Sequence, residues 1–166
     1  MSSLFLFDGM ALAYRAHFAL INNPQRNSAG MNTSMVLVFA NTILDILGTQ
    51  NPTHAAVVFD EGEPTERIEL YSEYKANRDP MPDDLRAQIQ PIHDIVDAMG
   101  LPRLVIEGVE ADDVIGTLAA QAEADRPVVV STGDKDMAQL VNAHVTLVNT
   151  MTDTRMDEAG VEAKFG

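Results

Sequence analysis

The chain has no cysteine and no tryptophan, and it is short of bases: 11 Lys and Arg stand against 25 Asp and Glu in 166 residues, a formal charge of −14. The lack of cysteine excludes disulfides, thiolate metal sites and a cysteine nucleophile, and it agrees with a reducing cytoplasm. On composition alone, the shortage of bases argues against a nucleic-acid binder, because phosphate affinity comes from clustered Lys and Arg. It argues equally against binding to an anionic membrane. No apolar run approaches the roughly 20 residues of a membrane span. The amino terminus, MSSLFLFDGM, has no basic region and its apolar run stops at Asp8, so it reads as a strand and not as a signal peptide. What is present is 46% hydrophobic residues, enough for a core, in a length typical of one domain. The expectation is a cytoplasmic, acidic single domain with no membrane partner.

Short apolar runs alternate with helical stretches. Strands are predicted at Ser3–Phe7, His54–Phe59, Leu104–Ile106 with its flanks, Pro127–Val130 and His144–Val148. Helices are predicted at Met10–Ile21, from an N-cap at Thr33 to about Leu47, and at Asp83–Met99, Ala111–Ala124 and Asp136–Val141. Pro91 is expected to kink or break the third of these, and Gly100 to stop it. Buried strands separated by helices call for an α/β fold, a mostly parallel central sheet with helices on both faces. One stretch, Glu61–Pro82, falls outside this alternation. It is polar and carries Arg67, Lys75 and Arg78; with Arg86 it holds four of the eleven bases in twenty residues. An insertion of this length is usually functional or mobile.

Open parallel sheets bind ligands at the carboxyl ends of their strands, and acids recur there. Asp8 follows the first strand and Asp60 the second; Glu110, Asp112 and Asp113 come after the third, and Asp134 and Asp136 after the fourth. Any one of them also reads as an ordinary helix cap, favoured by the helix dipole. Gathered at one edge, however, they would repel one another without a counter-ion. No His or Cys lies in these motifs, so the donors are all oxygen, which suits Mg²⁺ or Mn²⁺ and argues against zinc. Such an ion lowers the pKa of a bound water and steadies charge on a phosphoryl oxygen. Lys75, Arg78 and Arg15 are the candidates to add positive charge, although exposed bases also read as a solvated face.

Other phosphate chemistries fit poorly. There is no G-x-x-x-x-G-K-S/T loop and no G-x-G-x-x-G. Met10 stands where a haloacid-dehalogenase-like phosphatase needs a second Asp, and Phe7-Asp8-Gly9 offers one acid where a receiver domain needs a pair. Ser34 and Ser131 have no evident His partner. The four histidines, His17, His54, His93 and His144, are scattered without ligand spacing.

The segments LFDGMALAYRAHFAL, PTHAAVVFD, YKANRDPMPDDLRAQI, GVEADDVIGTLA and STGDKDMAQLV occur in the order seen in the 5′-nuclease domain of bacterial DNA polymerase I. From about Ser3 to Gly166 the chain resembles the N-terminal, PIN-like (resolvase-like) part of that domain, and it is similar to the wider flap-endonuclease family. The resemblance implies a metal-dependent 5′-3′ exonuclease or flap endonuclease of DNA repair and replication, hydrolysing DNA phosphodiesters at 5′ ends and flaps with two Mg²⁺ or Mn²⁺ ions. It implies Asp8, Asp60, Glu110, Asp112, Asp113, Asp134 and Asp136 as metal ligands. By the same resemblance Lys75 and Arg78 contact the scissile phosphate, Tyr74 stacks on a base, and Arg15 is a further DNA contact. Residues 61–82 would form a helical arch within a domain spanning 1–166.

The family continues beyond VEAKFG into a G-D-x-S/T-D-N segment and a helix–three-turn–helix. The resemblance therefore implies a fragment with an incomplete second metal position, adjoining a polymerase domain in the full-length chain. Ser34 and Val38 stand where many relatives have Gly, which implies an altered approach of the DNA backbone. Two other readings compete: a non-catalytic nucleic-acid-structure or interaction module, and a PIN-like ribonuclease, against which the Y-K-x-x-R element speaks.

Overall fold

Alternation of side chains along the two central strands divides the core in two. β1 (Leu4–Asp8) sends Phe5 and Phe7 to one face of the sheet and Leu6 to the other. β2 (His54–Phe59) sends Val57 and Phe59 to the first face and Ala56 and Val58 to the second, as a pleat of period two requires. The first face is covered by α1 (Gly9–Ala19), α2 (Ser34–Gln50) and α3 (Asp83–Ala98), through Leu12, Phe39, Ile43, Leu85 and Ile92. The second is covered by α4 (Ala111–Ala122) and a 3-10 turn at Lys135–Leu140, through Ile115, Ala119 and Met137. This computed structural model describes residues 2–60, 69–71, 73, 80–150 and 152–166. Among them, no helix is long and apolar enough to cross a membrane.

The remaining strands are β3 (Arg103–Val105), β4 (Val128–Ser131), β5 (Val145–Asn149) and β6 (Thr154–Met156). Their order in the sheet is β3-β2-β1-β4-β5-β6, parallel throughout except that β6 runs antiparallel to β5. From β1 the chain first builds outward through β2 and β3, then returns to the other side of β1 to add β4 and β5. The direction of winding reverses between β1 and β4, so their carboxyl ends flank the topological switch point, where such sheets bind ligands. Gly9 belongs to this geometry: it starts α1 directly against Phe59, and a Cβ there would lie within 2.8 Å of three ring carbons.

Three expectations need correction. The predicted α-helix at Asp136–Val141 is a 3-10 turn of six residues, too short to settle into α geometry with Asp134 capping it. Pro91 does not break α3, which runs unbroken from Asp83 to Ala98. The amide that proline lacks would have bonded the carbonyl of Ala87, an exposed residue whose carbonyl water can satisfy. The strand β6 and the helix α5 (Glu158–Phe165) were not predicted, and α5 buries no residue, so neither leaves a hydrophobic period to read.

Thr33 occupies the N-cap position of α2 but its side chain does not cap the helix; its hydroxyl donates to the Gln25 carbonyl at 3.4 Å. The donors at the start of α2 are taken instead by Gln88 of α3. Its Oε1 accepts from Met35 N at 3.0 Å and Val36 N at 3.3 Å, and its Nε2 donates to the Asp84 carbonyl at 2.9 Å. This side chain is 0% exposed, so water cannot replace it. Gln88→Leu keeps the volume but strands those amides, and is expected to cost about 1–3 kcal/mol in a urea unfolding curve.

Candidate active site

Asp8 ends β1 and begins α1, and it is 5% exposed. One carboxylate oxygen accepts from Ala11 N at 3.0 Å, capping the helix, and the other accepts from the Thr132 hydroxyl at 2.9 Å. Burial pushes its carboxyl above the ordinary 3.8; the bonds from Ala11 and Thr132 pull it back, and the charges of Asp60 and Asp134 raise it further. The like charges of two other strand ends are thus felt at the switch point.

Two of the neighbouring acids are also tied to backbone. Asp60, directly after β2, accepts from Ala111 N at 2.7 Å, so it caps a helix fifty residues away in sequence. Asp134 accepts from Asp136 N at 2.9 Å, while its own amide donates to the Thr132 hydroxyl at 3.0 Å. Glu110 sits at the N-cap position of α4 and is buried at 6% exposure. Asp112 and Asp113 lie in the first turn of the same helix, Asp112 half-buried and Asp113 exposed, where the helix dipole favours negative charge. Asp136 is exposed in the 3-10 turn and lines a separate groove with Val161 and Phe165.

Among the described residues no three Asp, Glu, His or Cys side chains converge closely enough to form a ready metal cage. The donors present are nonetheless all oxygen. Mg²⁺ is commonly held by one or two carboxylates, with water and phosphate completing the shell. That chemistry fits Asp8 with Asp60 or Asp134, whose charges act on it and which a hard cation would offset.

Arg15 projects from α1 across the same edge. Its guanidinium donates to Asn149 Oδ1 at the end of β5 and lies over Gly133, where any Cβ would overlap it. Ser34 is turned inward at 2% exposure, its hydroxyl accepting from Gln25 N at 2.8 Å, so the larger side chain at that position is absorbed by the core. His93 packs edge-on against Phe59 with centroids 4.5 Å apart, and His17 is buried at 8%, in keeping with packing roles. The expectations for Tyr74, Lys75 and Arg78, and for most of the insertion 61–82, lie outside the described residues.

Sequence reasoning passed over Thr132, Gly133 and Asn149. Thr132 stands within the STGDKD motif, and the hydroxyl two residues before Asp134 was a legible signal. Gly133 and Asn149 had none, because their role is defined only by where Arg15 arrives.

The chain matches the family described as 5′-3′ exonuclease, N-terminal resolvase-like domain, over residues 3–166. DNA polymerase I of Pseudomonas aeruginosa is 57% identical over 164 residues, which is 98% of this chain and 18% of that protein. A 5′-3′ exonuclease of Buchnera aphidicola subsp. Baizongia pistaciae is 37% identical over 162 residues, 97% of this chain and 53% of that one. The chain therefore spans less than two thirds of either relative. Among solved structures, bacteriophage T5 5′-exonuclease with bound zinc superposes with a TM-score of 0.74 at 20% identity, covering 98% of this chain and 60% of the other. The catalytic core of Rad2 with DNA gives a TM-score of 0.57 at 16% identity, over 98% and 49%. At such identities the likeness is one of fold.

The Asp8 carboxyl yields a signed expectation. Because burial raises its pKa in the folded state, the native protein holds that proton more tightly than the unfolded chain does. Stability should then fall as pH rises from about 3.8 through the raised value. Asparagine caps as well as aspartate and carries no charge. In metal-free buffer Asp8→Asn is expected to melt above the wild type at pH 7, with the difference shrinking towards pH 4 in thermal scans.

Proposed function

The chain belongs to the 5′-3′ exonuclease family, as its N-terminal resolvase-like domain, and from that membership we propose that it hydrolyses DNA phosphodiesters at 5′ ends and flaps using a divalent cation, Mg²⁺ or Mn²⁺. The observation that carries this reading is the Asp8 carboxyl at the switch point, buried and within reach of the charges of Asp60 and Asp134. Asp8, Asp60, Glu110, Asp112, Asp113, Asp134 and Asp136 are the residues that would hold the cation. When bound, it supplies a low-pKa water and neutralises charge on the phosphoryl oxygens.

The chain's own groups do the positioning. Ala111 N and the Thr132 hydroxyl fix the carboxylates of Asp60 and Asp8, and Asn149 fixes Arg15. In this reading Lys75 and Arg78 stabilise the charge that grows on the scissile phosphate. Tyr74 stacks on a base, and residues 61–82 form the arch around a single strand. The full-length protein would add a polymerase domain and act in the cytoplasm, in repair and replication.

A second reading is a nucleic-acid-structure module holding one weakly bound ion. It is favoured by the lack of a three-carboxylate cage among the described residues. A calorimetric Mn²⁺ titration giving one weak site, with no hydrolysis, would select it. A PIN-like ribonuclease would instead prefer RNA over flap DNA.

The leading reading is checked with end-labelled 5′-flap DNA. With the chain extended past Gly166, short 5′ products should appear with Mg²⁺ or Mn²⁺ and vanish with a chelator. Asp112→Ala and Asp134→Ala should each lower the rate about 100-fold or more, and Lys75→Ala or Arg78→Ala should lower kcat. Native rates in both aspartate variants would show the site to be misassigned.

A further inference from the structure

Beside Asp134, on the side away from Asp60, the strand ends enclose a small cleft of about 90 Å³. Gly133, Lys135, Asn149, Thr154, Arg155 and Lys164 line it. With Arg15, whose guanidinium reaches both Gly133 and Asn149, four of the chain's eleven bases meet around this one feature. Three of them, Lys135, Arg155 and Lys164, are exposed. Among the described residues none of the three makes an ion pair, whereas Arg103 is paired with Asp97 at 2.9 Å. In a chain with 25 acids, unpaired cations collected at one cleft need a reason.

The neutral groups point the same way. Asn149 presents its carboxamide oxygen to Arg15 and so holds the guanidinium across the end of β4. Gly133 leaves that path open. The hydroxyl of Thr154, 2.8 Å from that of Thr152, adds a polar group to the wall. Guanidinium, ammonium and hydroxyl groups around a cleft of this size match a tetrahedral oxyanion, and arginine in particular matches phosphate. Asp134 closes one end of the cleft, so a group bound there abuts the carboxylate edge.

We propose that this cleft is a second phosphate-binding subsite, which takes a phosphodiester of the substrate strand next to the one cleaved. The assignment of the phosphate to a DNA strand rests on the nuclease reading; the phosphate chemistry of the cleft does not. Lys135, Arg155 and Lys164 act as positioning residues: they hold the strand so that the neighbouring phosphodiester lies over Asp8 and Asp134, and take no part in bond breaking.

The test is a heteronuclear NMR titration of the whole chain in metal-free buffer, where no turnover occurs. One arm uses a single-stranded 5′-phosphorylated octanucleotide and the other inorganic phosphate. The oligonucleotide should shift the amides of Gly133, Asn149, Thr154 and Arg155 at concentrations well below those needed with phosphate. The double variant Arg155→Ala/Lys164→Ala should bind it about tenfold more weakly, with a salt slope shallower by about 0.7 for each lost contact. Both side chains are exposed, and a melting curve confirms that the variant folds. Arg126→Ala, at the opposite edge of the sheet, should leave the salt slope unchanged.

Oligonucleotide binding with no shift at the cleft, and equal affinity in the double variant, would overturn the subsite and leave the nuclease reading intact. Phosphate binding at the cleft without any oligonucleotide binding would overturn the link to a DNA strand and count against the nuclease reading. If neither ligand moves the cleft, the proposal falls.

Discussion

The buried Asp8 carboxyl, where β1 turns into α1 beside the charges of Asp60 and Asp134, is the constraint on which the carboxyl edge depends. Asp8, Asp60 and Asp134 come from three strand ends; burial, and then the charges of the other two, raise the Asp8 carboxyl, yet the same groups direct the chain as it leaves the sheet. Asp8 starts α1, Asp60 bonds the first turn of α4, and Asp134 starts the 3-10 turn. Replacing these acids with side chains that accept no hydrogen bond would remove the caps along with the charge. The fold therefore brings these like charges to one edge, and each is secured by a backbone amide.

The strands were legible because β1, β2, β4 and β5 are nearly continuous apolar runs, the signature of a sheet covered on both faces. His54–Phe59 coincides with its predicted bounds. The acids at the strand ends were legible for a related reason: once a parallel sheet is assumed, the carboxyl edge can be located by counting residues. What escaped depends on distant partners. Thr132 bonds a residue 124 positions away, Asn149 one 134 positions away, and Gln88 reaches across 53. No local pattern encodes such contacts. The short β6 and the exposed α5 escaped because they bury too little to leave a period.

A net charge of one sign does not set the field at each part of the surface. The balance of −14 averages over a surface tens of ångströms across, while screening at physiological salt limits the reach of exposed charges to roughly 8 Å. Within that range Arg15, Lys135, Arg155 and Lys164 make their own field. Acids and bases lie side by side at the carboxyl edge, and separation over short distances decides what each part of the edge attracts.

The tie between Gln88 and α2 bears on how the protein can vary. The chain leaves the sheet at Asp60, which is fastened to Ala111 N, and re-enters the core at α3, which Gln88 fastens to the start of α2. Both ends of the intervening stretch are thus set by contacts made elsewhere. Substitutions between these two fastenings therefore act without disturbing the register of the sheet and its carboxylates.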